Sequence, residues 1–228
     1  SIPYFTKESV DKEQGIIGQE IGMIEDDPDW VVFMDLMQAL YEKHPVRVSV
    51  AGSAESISHI TAETLYACHK AFYDPSNMVL CVAGDVDPEK ICQAAREILP
   101  ERPGAPVARG DYGAQEPAEV CQPMIQREME VSVPLFQLGF KGEAAPEGEG
   151  ALRQQLLGEL ACEALLGNSG PLYARLYREG LVNRNFSYGY ESYPGCAFLC
   201  AGGESKDPEG VRAAVAAEAG RIAREGID

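Results

Sequence analysis

Apolar residues in this chain recur mostly at helical spacing, in blocks separated by Pro, Gly and Asp signals. Around "DKEQGIIGQEIGMIEDDP", residues 11–28, Val10, Ile17 and Ile24 share the helical period, with Ile16, Ile21 and Met23 beside them. The same stripe carries Glu13 and Glu20, so the spacing predicts a helix with two carboxylates among its apolar residues. Gln14, Gly15, Gly18, Gln19, Gly22, Glu25 and Asp26 fall on the opposite side. "DPDWVVFMDLMQALYEKHP" predicts a second helix, with a cap at Asp27 to Asp29 and a face of Trp30, Phe33, Met34, Met37, Leu40 and Tyr41. His44-Pro45 ends it.

"ITAETLYACHKAFY" predicts a helix capped at Thr61, with Thr64 close behind and "DPSN" closing it. "MVLCVAGDV", residues 78–86, is a continuous apolar run that stops at Gly-Asp, the pattern of a buried strand. "DPEKICQAAREIL" then opens a helix with Asp-Pro. Residues 100–124, "PERPGAPVARGDYGAQEPAEVCQPM", concentrate proline, glycine and charge and predict a linker or long excursion. Beyond it, "IQREMEVSVPLFQLGFKG" alternates as one or two strands, and "EGEGALRQQLLGELACEALLG" and "GPLYARLYREGL" are helical, the second begun by Pro171. "FSYGYESYPGCAFLCAGGES" predicts a hairpin turned at Pro194-Gly195, with "AGGES" as a turn after the strand, and "DPEGVRAAVAAEAGRIAREGID" a last helix. Antiparallel strands with paired helices, and no regular βαβα alternation, favour an α+β fold. "GNSGPL" is not a dinucleotide fingerprint, and no phosphate-binding GxxxxGK[ST] occurs.

Composition narrows the function classes. At 228 residues and 45% hydrophobic, the chain can build one large core or two small ones. A formal charge of −17, from 36 acidic against 19 basic residues, would repel a phosphate backbone, so nucleic acid is excluded as the expected partner. No apolar run approaches a membrane span, and "SIPYFTKESVDK" lacks a signal-peptide pattern, so the expectation is a protein without a membrane partner in the cytoplasm. Seven widely spread cysteines, odd in number and mostly among apolar residues, suggest buried thiols in a reducing compartment, with no disulfide framework. Cys196 and Cys200, four apart in a strand, share a face and fit core packing better than metal ligation.

The two carboxylates leave two readings open. A carboxylate on a buried apolar stripe is costly unless it is neutralised, paired or metal-bound. One reading makes Glu13 and Glu20 a solvated helix edge, or partners of a distant arginine. The other makes the i, i+7 pair two inward oxygen groups, one to hold a metal and one to orient its surroundings.

"EQGIIGQEIGMIEDDPDW", followed by "LYEKHPVRVSVAGSAESISHITAETLYACHKAFYDPSNMVLCVAGDVDPEKI", closely resembles the insulinase/pitrilysin (M16) family of zinc metallopeptidases. The match continues through "LLGNSGPLYARLYREGLVNRNFSYGY" and "FLCAGGES" and covers nearly the whole chain. The resemblance implies the LuxS/mitochondrial-processing-peptidase-like metallohydrolase fold. It also implies an inverted zincin: HxxEH on one helix gives two histidine ligands and a general base, and a later helix gives a glutamate. On this alignment Glu20 matches the third zinc ligand and Glu13 the supporting carboxylate. Arg178 and Tyr188, in "YREGLVNRNFSYGYE", resemble the family's substrate-carbonyl clamp, although their spacing is not the usual one and structural packing is the plainer reading.

The departure from the family is the absence of HxxEH. The only histidines are His44, His59 and His69, which read as turn, surface or core-edge residues. The resemblance places the HxxEH helix upstream of the Glu20 helix, so the chain is expected to be a central piece of a longer protein. On that expectation residues 1–54 are the remainder of the zinc-site segment. Residues 55–228 form the M16 C-terminal-type α+β domain, with the linker at 100–124. The implied parent is a zinc endopeptidase acting on peptides and paired with a second M16 half or subunit. The piece alone is expected to be inactive and to hold no zinc tightly. The alternative is a non-catalytic homologue serving as scaffold or partner of an active subunit.

Overall fold

The computed structural model describes residues 3–99, 116–144 and 146–227. Its elements in chain order are α1 (Lys7–Glu25), α2 (Pro28–Leu40), α3 (Ala54–Ser58), α4 (Ala62–Phe72), α5 (Pro88–Ile98), β1 (Leu135–Gly142), α6 (Glu149–Leu166), α7 (Pro171–Arg178), β2 (Ser187–Tyr193), β3 (Cys196–Glu204) and α8 (Pro208–Glu225). The fold is α+β. The chain forms two compact units, one of Ser1–Ile21 with Gly52–Asp111, the other of Gly22–Ala51 with Tyr112–Asp228. Most of residues 100–124, read as a linker, lies outside the described residues.

The second unit is built on an antiparallel sheet in the order β1-β3-β2. Alternation along β3 sends its side chains to two different cores. Cys196 and Phe198 pack with Leu36, Met37, Leu40 and Tyr41 at the end of α2, and Cys200 borders that cluster. Ala201, with Leu199 alongside, joins Phe136 of β1 and Leu166, Leu172, Leu176, Val211 and Val215 of α6, α7 and α8. The sheet is thus covered by α2 on one face and by three helices on the other.

Close approach fixes one glycine in this sheet and one packed against it. A Cβ on Gly139 of β1 would lie 2.6 Å from Leu36 Cδ1, and one on Gly158 of α6 would lie 2.3 Å from the Tyr190 ring. The β2–β3 hairpin turns at Pro194-Gly195 as its sequence predicts, with Gly195 at φ +86°. The "AGGES" run is not a turn: β3 continues through Glu204, and a Cβ on Gly202 would lie 2.4 Å from the Gln137 side chain. Gly202 thus admits a β1 side chain, and Gly203, at φ +151°, admits the backbone of Asn185 and Phe186. As β3 is the central strand, it offers no free edge for an added peptide strand.

The first unit is held by local signals and few buried groups. Thr61 caps α4 in a reciprocal box with Thr64, Ser53 caps α3 with Ser56, and Asp87 caps α5. Val10 and Ile21 are its buried hydrophobics among the described residues. The buried strand predicted at 78–86 does not form: among the described residues the segment pairs with no strand, and Val79 is 95% and Leu80 68% exposed. An apolar run becomes a strand only when other strands satisfy its N–H and C=O groups, and the described residues of this unit supply none.

The cysteines also depart from expectation. Cys162 and Cys196 are buried and Cys200 partly so, but Cys68, Cys81, Cys92 and Cys121 are exposed. Burial pushes the Cys162 thiol up to about 11, as befits a core thiol.

Candidate functional site

Glu13 and Glu20 lie on α1, seven residues or about two turns apart, a rise of roughly 10 Å. Both are exposed, and neither has a hydrogen-bond or ion-pair partner among the described residues. The buried line of α1 is not the stripe drawn from the sequence. It runs through Val10, Gln14, Ile17 and Ile21, with Val10 and Ile21 buried. Gln14, assigned to the polar side, points inward, where its Nε2 donates to the Ile57 and Ile60 carbonyls at 3.0 and 2.9 Å. Glu13 and Glu20 each precede a residue of that line and so stand about 100° around the helix from it. A carboxylate there costs little and remains available to groups outside the helix.

The donor set among the described residues does not make a complete zinc centre. Structural and catalytic zinc needs three or four protein ligands. Among the described residues no three His, Cys, Asp or Glu side chains come close enough to hold a metal ion. His59 is an exposed cap at the end of α3, and His69 stacks on Tyr73 with ring centroids 4.6 Å apart. His44 is in a turn, as read, but is not a surface residue. It is 6% exposed; its Nε2 lies 2.9 Å from the Pro194 carbonyl and its Nδ1 accepts from the Val46 N–H.

Arg178 ends α7 and is exposed, without an ion-pair partner among the described residues. Tyr188 sits on β2, paired with Ala201 and bordering the larger core. Its hydroxyl donates to Glu163 Oε2 at 2.8 Å. Burial, then the hydrogen bond to that carboxylate, raises its pKa. The tyrosine therefore has a structural engagement already, the plainer of the two readings. A cleft of about 330 Å³ at one end of the sheet is lined by Asp29, Gln137, Asn185, Ser187 and Glu204 among others, and by none of these four residues.

One constellation gave no sequence signal. Glu116, inside the stretch read as linker, accepts from the N–H groups of Glu42, Lys43 and His44, each at 2.8 Å, and from Lys141 Nζ at 2.8 Å. Burial alone would raise its pKa; the Lys141 ammonium and the three amides outweigh it and bring the group down to about 2. Its partners lie 25 to 74 residues away in sequence, so no local pattern marks it.

Comparison with known proteins supplies the context for these residues. The family model for the Peptidase M16 inactive domain matches residues 59–228. The chain is 38% identical over 211 residues to YmfH, an uncharacterized zinc protease of Bacillus subtilis, covering 91% of this chain and 49% of that protein. It is 26% identical over 191 residues to an uncharacterized zinc protease of Rickettsia felis, covering 83% and 43%. Among solved structures, an M16-like peptidase from Alicyclobacillus acidocaldarius superposes with a TM-score of 0.87 at 33% identity, over 99% of this chain and 53% of that one. The chain spans about half the length of the curated relatives it matches. No helix among the described residues is long and apolar enough to cross a membrane.

Proposed function

Because this chain belongs to the M16 peptidase family, we propose that it is the central portion of a zinc-dependent peptidase, contributing one metal ligand to a site completed by sequence outside it. Glu20 is the ligand, Glu13 orients the residues around it, and an HxxEH helix supplies the two histidines and the general base. In this reading residues 1–54 carry the end of the zinc-site segment and 55–228 the C-terminal-type domain. The protein acts on peptides in the cytoplasm, and Arg178 and Tyr188 are its candidate substrate contacts.

The observation that carries the proposal is the placement of Glu13 and Glu20: same side of α1, exposed, unpartnered among the described residues and off the buried line. Two further surfaces agree with it. The apolar residues at 78–86 are uncovered, and α6 turns Leu152, Leu156, Leu157 and Leu160 away from the sheet, each at least half exposed. A second M16 half, in the same protein or a partner subunit, is the proposed cover for both.

The test uses the longer natural protein and this chain side by side. The longer protein should bind one equivalent of zinc and cleave peptides. Glu20→Gln should abolish both, and Glu13→Gln should weaken metal affinity by roughly 10–100-fold. This chain alone should bind no zinc at sub-micromolar affinity. A longer protein without HxxEH, or with full zinc affinity after Glu20→Gln, would sink the proposal. The second reading, a non-catalytic scaffold or partner, is favoured by the match to the family's inactive domain, and the same zinc titration separates the two.

A further inference from the structure

The Glu116 constellation is a built receptor for a carboxylate. Three successive backbone N–H groups, from Glu42 to His44, converge on one side chain, and Lys141 adds an ammonium. The Lys141 side chain is 6% exposed and that of Glu116 9%, so the charges meet largely out of water. Lys141 Nζ also donates to the Glu119 carbonyl at 2.9 Å and lies 4.8 Å from the centre of the Tyr41 ring. The Tyr41 hydroxyl donates in turn to the Ala197 carbonyl on β3, which ties the receptor to the sheet. Consecutive amides directed at one point form an anion-binding concavity whatever supplies the anion.

The chain that delivers Glu116 is laid along α2. Going backwards from residue 127, Arg127 Nε pairs with Asp35 Oδ2 at 2.6 Å, the Gln122 N–H donates to the Ala39 carbonyl at 2.9 Å, and Glu116 reaches residues 42–44. Residues 116–127 thus form a strap antiparallel to α2, with its strongest fastening at the Glu116 end. Exposed termini and linkers normally pay ordering entropy for little return; here one buried charge-assisted cluster supplies the return.

We propose that the amides of residues 42–44 and Lys141 constitute a carboxylate-binding site occupied in cis by Glu116, and that this occupancy latches the 116–127 strap onto α2. The ligand class is a small carboxylate; the strap is its tethered donor.

Chemical rescue of the full chain tests this. Glu116→Ala should lower the thermal midpoint by roughly 5 °C or more. Sodium acetate should restore it in a saturable manner, beyond sodium chloride at equal ionic strength, while leaving the wild-type midpoint unchanged. Lys141→Met in the Glu116→Ala background should remove the acetate response. If Glu116→Ala does not fold, Glu116→Gln, which keeps the shape and can still accept, serves instead. It should fold, with a lowered midpoint and faster exchange of the Glu42 to His44 amides. A wild-type midpoint in either variant, or an acetate response no larger than that to chloride, would overturn the proposal.

Discussion

The two units of this chain use the same helix signals yet hold themselves together differently. In the sheet-containing unit, Tyr41, Phe198, Leu166, Leu176, Val211 and Val215 are almost fully buried, in two clusters on opposite faces of β3. In the other unit Val10 and Ile21 are the buried hydrophobics among the described residues, while Val79, Leu80, Met78, Ile98 and Phe72 are exposed. Its helices are nonetheless well capped. Capping contributes about 1 kcal/mol per helix, whereas burying a large side chain contributes about 1.5–3 kcal/mol. Good caps define where helices begin; they do not replace a core.

The sharpest way to break this comparison is a matched pair of truncations. Phe198→Ala, 1% exposed, should cost about 3–5 kcal/mol in urea unfolding, whereas Val79→Ala, 95% exposed, should stay within about 0.5 kcal/mol. Equal losses would mean that residues 78–86 are covered in solution. A glycine pair gives a smaller contrast of opposite sign. Gly158→Ala drives a methyl into the Tyr190 ring and should destabilise by about 1–3 kcal/mol. Gly18→Ala, on α1 with nothing within 4 Å, should stabilise by about 0.5–1 kcal/mol through helix propensity alone.

A further contrast lies in pH. The Glu116 carboxyl is held at about 2, below its ordinary value of 4.5, so its contribution is complete above pH 4.5 and fades as pH falls toward 2. The stability difference between wild type and Glu116→Gln should therefore narrow from pH 6 to pH 2.5. A difference constant across that range would show that the carboxylate is not the group being held.

Legibility in the sequence followed the range of the interaction. Thr61, Asp87, Pro171 and the Pro194-Gly195 turn act on neighbours within a few residues, and each element they predict is present. The run at 78–86 has a strand's pattern without forming one, because strand formation depends on partners that no local pattern reports. Polarity alone puts Gln14 on the solvent side of α1, yet its amide faces inward because it satisfies two carbonyls. The turn at His44 is legible but its burial is not, because the Pro194 carbonyl that engages it is 150 residues away. Of the candidate site, the spacing marks Glu13 and Glu20 through a stripe that α1 does not bury, so their assignment rests on the family resemblance. The Glu116 receptor is not legible, because backbone amides carry no sequence signature.

The uncovered run at 78–86 has a practical consequence through Cys81, the exposed thiol in its middle. In this chain it should be open to an alkylating reagent or a chromogenic disulfide. In any assembly that covers residues 78–86, the same atom should be silent. Because Cys68, Cys92 and Cys121 are exposed as well, peptide mapping of the label at Cys81 against those three reports, with no antibody or tag, whether residues 78–86 are covered.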